Sequence, residues 1–227
     1  MQMRDEHTQR TIIHNMESPS IRHLLSCDEM LMTVIFRIGD IEYTLHRDGF
    51  AFFVDTIISQ MLSNKAADAI SARVNGICDS DISPERVGTL TVSDLRKTGL
   101  SVAKSEYVLH LASHCIGNPE YFDSFHDKPD KVVMDELMKL RGIGSWSAKM
   151  FLIFVLDRPD VLPFEDGAFR QAFLWLHPTV TYTEKTVSEK CQLWRPYASI
   201  ASRYLYKVLD SGLTKQPFSD FQKTESD

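Results

Sequence analysis

Three observations predict an all-α chain. Apolar residues recur at helical spacing over most of the 227 positions. Short breaks of Gly, Asn, Ser and Pro divide those stripes into segments of helix length. One break, Leu140-Arg141-Gly142-Ile143-Gly144-Ser145-Trp146, has the form of a tight reversal between two helices.

Taken in order, residues 1–20 show little periodicity and read as a flexible tail. From Ile21 the chain reads as helix. Between residues 31 and 45, Val34, Ile35, Phe36, Ile41 and Tyr43 leave a short strand open beside the helical reading. Phe50, Phe53, Val54, Ile57, Ile58 and Met61 then make one apolar stripe. Ser63-Asn64 interrupts it, and Ala66, Ala67, Ile70 and Val74 mark the next helix. Val102, Ala103, Tyr107, Val108, Leu111, Ala112 and Cys115 form another stripe, closed by Gly117-Asn118-Pro119. After an acidic loop, Pro129 or Asp130 opens a helix that carries Leu137 and Leu140. A further helix is expected from Gly167, and the last from near Pro196 to Gly212.

Composition narrows the function. Hydrophobic residues at 43% and charged residues at 25% are ordinary for a folded domain. Cys27, Cys78, Cys115 and Cys191 are far apart, which disfavours a zinc site or a thiolate-held iron–sulfur cluster and fits a reducing compartment. No run approaches the roughly 20 apolar residues that a membrane helix needs, and the polar N-terminus does not resemble a secretory signal. The expectation is an intracellular monomer without a membrane partner. A net charge of −6 speaks against a wholly basic nucleic-acid binder. The charge is uneven, however: residues 190–207 hold Lys190, Arg195, Arg203 and Lys207 and no acid. A local basic face on an acidic protein is one reading of that run; a solvated helix surface is the other.

The glycines at 142 and 144 carry more information. Glycine tolerates the positive φ and close backbone approach of a tight reversal. The amides of Gly144, Ser145 and Trp146 would then point outward at the second helix's N-terminus, where free N–H groups and the helix dipole suit a phosphate. Ile143 would plug the turn into the core. A plain helix–turn–helix corner remains the competing reading.

Five segments in order extend this. They are Ile57-Ile58-Ser59-Gln60-Met61-Leu62-Ser63, Gly99-Leu100-Ser101-Val102-Ala103-Lys104-Ser105, and Leu140 through Ala148. The last two run from Leu162 through Gln171 and from Leu193 through Ala201. Together they resemble the helix-hairpin-helix DNA glycosylases, specifically the DNA-3-methyladenine glycosylase II branch, over about residues 21–212. The resemblance implies a two-lobed fold with the active-site cleft between the lobes. Lobe one would hold about 21–64 plus 165–227, and lobe two about 65–164 with the hairpin at 140–146. It also implies that the N-terminal sheet domain carried by some members is missing.

A glycosylase extracts its target base from the stack before cutting the N-glycosidic bond. Cleavage builds positive charge on the sugar, so an ionised carboxylate near C1′ stabilises the transition state and can orient the attacking water. The family's catalytic aspartate falls on Asp166, with Glu165 as its rival; an N-cap for the helix from Gly167 is a compatible second role. In members that also nick the strand, a hairpin lysine attacks the sugar. Here that position is Trp146, and Lys149 lies about one turn on, so the resemblance implies hydrolysis to an abasic site without a Schiff base.

The resemblance assigns the base pocket to Trp146, Trp194 and Met150. Indole faces attract cationic alkylated purines, although packing explains a buried tryptophan equally well. Met150 stands where a close relative has a tyrosine, and Ala198 where relatives often have arginine. DNA contact falls to Gly142, Ile143, Gly144 and Ser145, with Gln60 and Met61 at the position of the wedge that fills the emptied stack. For Met61 a core position stays open. Carbonyls of Met138, Leu140 and Ile143 would hold a Na or K ion, with no other cofactor expected. His110, His114 and His177 lack any metal-ligand context.

The expected function is a monofunctional glycosylase releasing alkylated purines such as 3-methyladenine from double-stranded DNA. It would work in the cytoplasm or nucleoid of a bacterium, or in a nucleus. A glycosylase for deaminated or mismatched bases, and a non-enzymatic DNA-binding module, are the alternatives.

Overall fold

The structure is a computed structural model that describes residues 11–223. Its elements run β1 (Thr11–His14), α1 (Pro19–Cys27), α2 (Glu29–Ile38), β2 (Ile41–Thr44), α3 (Gly49–Ser59), α4 (Asn64–Ile77), α5 (Pro84–Gly88), α6 (Val92–Lys97), α7 (Val102–Gly117), α8 (Asp130–Leu137), α9 (Ser145–Phe154), α10 (Gly167–Leu176), α11 (Glu184–Cys191), α12 (Ala198–Asp210) and α13 (Phe218–Lys223). The class is all-α. One two-stranded ribbon accompanies the helices, β1 antiparallel to β2 with Thr11 opposite Thr44 and His14 opposite Ile41.

That ribbon corrects the N-terminal expectation. Residues 1–10 of the expected tail lie outside the described residues. Residues 11–20 are not a tail: they hold β1 and the first two residues of α1. Between 31 and 45 both readings are realised, as α2 and then β2, with Gly39 at φ +74 closing the helix.

The helix starts follow local chemistry. Asp28 takes the N–H groups of Met30 and Leu31 at the head of α2, and Asp48 those of Phe50 and Ala51 at the head of α3. Ser63 and Ser101 cap α4 and α7 in the same way. The short helices α5, α6, α11 and α13 were not expected, because their apolar positions are too few to show a period.

Two compact units form. One comprises the described residues through Leu45 and those from Asp157 onward; the other is His46–Leu156. The expected boundaries at 64/65 and 164/165 therefore move to 45/46 and 156/157. The reason is α3, whose stripe packs with α4, α7 and α9 rather than with the first helices. Phe53 stacks on Phe151 at 5.2 Å between ring centres, and Phe122 and Phe125 complete the aromatic cluster. The first unit has its own core of Ile21, Leu24, Leu31, Ile35, Phe169, Phe173, Trp194, Tyr204 and Leu205, all fully buried.

Burial disfavours the charged form of two histidines. His177 is buried beside Phe173, and His114 lies edge-on to Tyr121; the Nε2 atom of each is buried without a partner. Burial lowers both pKa values below their ordinary 6.5. The stability that depends on their neutrality is full above about pH 6.5. It is lost as pH falls through the depressed folded values, because the unfolded chain takes up protons that the folded one refuses. The urea midpoint should therefore drop between pH 7 and pH 5, and a flat midpoint would contradict this.

Candidate functional site

The reversal between α8 and α9 is built as the sequence suggested, with one amendment. Gly142 adopts φ +86, and a Cβ there would meet Cδ2 of Tyr107 at 2.4 Å. Only glycine fits. Gly144 is different: it is the N-cap of α9 with φ −105, and a Cβ would meet nothing within 4 Å. Its smallness leaves open space ahead of the helix rather than relieving strain. α9 has no side-chain cap at Gly144, and a helix start carries the positive end of a dipole that suits an anion. Ile143 is buried at 5% exposure and anchors the turn, as expected. Its N–H donates to the Leu140 carbonyl at 3.2 Å.

The turn after α3 is joined to this hairpin. Gln60 Nε2 donates to the Gly142 carbonyl at 2.9 Å. Gln60 therefore braces the hairpin through its side-chain amide. Met61 follows at φ +58 and is 101% exposed. The core reading of Met61 is therefore excluded. An apolar side chain held wholly in solvent on an uncommon backbone conformation suits a part that meets another molecule. Lys104, from the start of α7, donates to the carbonyls of Ile58 and Gln60 at 2.8 and 2.6 Å.

In the other unit, Asp166 caps α10. Its Oδ1 accepts the Phe169 N–H at 2.7 Å, and its own N–H donates to the Pro163 carbonyl at 3.0 Å. The extended approach to it is fixed as well. Tyr182 donates its hydroxyl to the Phe164 carbonyl at 2.7 Å, with the two rings stacked at 5.1 Å. Asp166 is partly exposed, whereas Glu165 is exposed on the same turn. Burial drives the phenol of Tyr206 far above its ordinary range, and the Asp166 charge adds to that rise. The structure thus gives Asp166 both a fixed rotamer and an electrostatic neighbour, and the cap role holds.

Other expected residues fall elsewhere. Trp194 is 0% exposed, packs on Phe169 and Phe173, and donates its indole N–H to Asp28 at 2.7 Å. It is a core residue and offers no ring face to a base. Met150 is also buried, at 5% exposure, and presents almost no surface. Trp146 alone of the three is partly exposed, on the first turn of α9. Ala198 is buried at 3%, so this position makes no surface contact that an arginine would strengthen.

The basic run is partly used within the fold. Arg195 pairs with Asp160 at 2.8 Å. Arg203 is 9% exposed, lies over the Tyr43 ring at 3.5 Å and faces Asp157 at 3.9 Å. Two of the four cations are therefore engaged within the fold. Sequence reasoning passed over Lys104 and Tyr107 as members of a motif and a core stripe. Nothing in their spacing announced that one would hold carbonyls and the other would support Gly142. All four cysteines are free thiols. No helix among the described residues is long and apolar enough to cross a membrane.

Comparison with known proteins agrees with this arrangement. The profile described as HhH-GPD superfamily base excision DNA repair protein matches residues 54–196. DNA-3-methyladenine glycosylase 1 of Schizosaccharomyces pombe is 28% identical over 199 residues, spanning 82% of this chain and 85% of that protein. The crystal structure of a DNA-3-methyladenine glycosidase from Bacillus halodurans superposes with TM-score 0.77 at 29% identity, covering 87% of this chain and 92% of that one. The S. pombe 3-methyladenine DNA glycosylase in complex with abasic DNA superposes at 0.74 and 24% identity, covering 84% and 96%, a likeness of fold alone.

Proposed function

Because this chain belongs to the HhH-GPD superfamily of base excision DNA repair proteins, we propose that it releases alkylated purines such as 3-methyladenine from duplex DNA. It is a DNA glycosylase, a hydrolase of N-glycosyl bonds. The observation that carries the substrate reading is the pairing of two built features on one chain. The Gly142 turn ends at the start of α9, which has no side-chain cap and whose dipole suits a backbone phosphate. Downstream, the Asp166 carboxylate accepts the Phe169 N–H at the head of α10.

In this reading the hairpin amides grip the phosphate backbone and Met61 enters the stack where a base has left. Asp166 then opposes the positive charge growing on the sugar and orients water toward C1′. Trp146 supplies an electron-rich face for a cationic purine. It also occupies the place from which a lysine would attack, so the product is an abasic site with no covalent intermediate. The carbonyls of Met138, Leu140 and Ile143 would offer neutral oxygens, which suit a monovalent cation better than a divalent one. A Na or K ion there would add positive charge beside the phosphate.

The test is release of 3-methyladenine from alkylated duplex, followed by borohydride trapping on the same DNA. Base release without trapped protein is the expected result. Trapping would overturn the hydrolytic assignment. Tight duplex binding with no abasic sites, on this substrate or on a panel of single defined lesions, would favour the binding module.

A further inference from the structure

We propose that Lys104 is a positioning residue that sets Met61 for entry into the DNA stack, and that it does so by locking the end of α3 to the hairpin. The inference deepens the glycosylase reading and rests on it. A helix end leaves its last carbonyls without intrahelical donors, and a cation there is favoured by the helix dipole. At α3 the Ser59 carbonyl accepts the Leu62 N–H at 3.1 Å. Those of Ile58 and Gln60 are both taken by the single ammonium of Lys104.

These bonds bracket Met61. The Gln60 carbonyl is the acceptor of the peptide group immediately before Met61, so holding it fixes the plane from which the φ of +58 departs. The Gln60 side chain reaches the Gly142 carbonyl at the same time. Gly142 in turn lies against Tyr107, one turn along α7 from Lys104. Lys104 and Tyr107 thus use one face of α7 to hold two turns at once, the one that carries Met61 and the one that presents α9. Lys104 is partly buried in making these bonds, and that burial lowers its pKa. Without Lys104, two carbonyls lose their donor and Met61 is free to leave its uncommon backbone conformation. The fixed distance between the Met61 and hairpin turns would be lost with it.

The test compares wild type, Lys104→Met, Lys104→Arg, Met61→Ala and Lys104→Met/Met61→Ala. Each is assayed for base release from alkylated duplex and from alkylated single strand, where no stack needs filling. A second readout is 2-aminopurine fluorescence in a duplex with the probe beside an abasic site, which needs no catalysis. For Lys104→Met the duplex-to-single-strand rate ratio should fall about tenfold, near the effect of Met61→Ala. The probe signal should fall with it. Lys104→Arg, which keeps charge and several donors, should recover most of both. Adding Lys104→Met to Met61→Ala should change the ratio less than about twofold, because a lock has nothing left to position.

An unchanged ratio and probe signal, additive losses in the double variant, or equal loss on both DNA forms would overturn the proposal. So would failure of both Lys104→Met and Lys104→Arg to fold, which would make the lysine a scaffold residue. An inactive wild type would instead sink the glycosylase reading, and the fluorescence comparison would still judge Lys104.

Discussion

Asp166→Asn should lower base release by about 10²–10⁴-fold, the range for loss of a general base or a charge aimed at the transition state. It should leave stability within about 0.5 kcal/mol of wild type. The separation follows from the two jobs of this side chain. One oxygen accepts the Phe169 N–H at the head of α10. Asparagine caps about as well as aspartate, because its amide oxygen can take the same N–H. Its NH₂ then replaces the second carboxylate oxygen, so an uncharged donor stands where the proposed mechanism sets an anion against the sugar. Asp166→Ala, by contrast, should lose activity and also about 1 kcal/mol of cap. Single-turnover release and thermal melting of the same samples distinguish the cases. Glu165→Gln is the control. If it is inactive while Asp166→Asn keeps the wild-type rate, the carboxylate assignment is reversed.

Much of this was legible along the chain, for a reason that can be stated residue by residue. Helices with three or more turns advertise themselves through periodic burial, and α3, α4, α7 and α12 were placed to within a few residues. The ribbon was not, because Thr11–His14 is a four-residue strand whose partner lies some thirty positions away. The unit boundary was misplaced for a related reason. The stripe of α3 records that the helix is buried but not which neighbour buries it.

Among site residues, legibility followed the source of the constraint. Gly142 and Asp166 are set by backbone conformation and capping, which residue type alone can signal. Trp194 and Arg203 have side chains whose partners, Asp28, Tyr43 and Asp157, are distant in sequence. An indole that packs and one that receives a ligand look alike until those partners are known. Gln60 shows the converse. Its motif marked it as a DNA-contact candidate, and its bond to the Gly142 carbonyl could not be read from the sequence.

The hairpin separates stability from recognition at two glycines only one residue apart. Gly142→Ala should destabilise the protein by about 2–4 kcal/mol, summing a left-handed conformation disfavoured for alanine and a methyl forced into a filled space. The conflict is with Cδ2, Cγ and Cβ of Tyr107 at 2.4, 2.6 and 3.0 Å, near the root of that side chain, where it cannot swing aside cheaply. Because the Gly142 carbonyl also receives Gln60, the strain should spread to the Met61 turn and weaken binding to intact duplex by about tenfold or more. Adding Tyr107→Ala should restore only part of the stability, since the clash goes but φ +86 remains. Gly144→Ala tests the same turn from the other side. With φ −105 and nothing within 4 Å, it should melt like wild type or slightly higher. Its methyl nevertheless stands in the space before the α9 amides, so duplex affinity should fall and the dependence of binding on salt should flatten. Melting temperature and duplex affinity across a salt series report both variants. If Gly144→Ala binds duplex as tightly as wild type, the start of α9 is not where the backbone is held, and the hairpin is a corner of the fold.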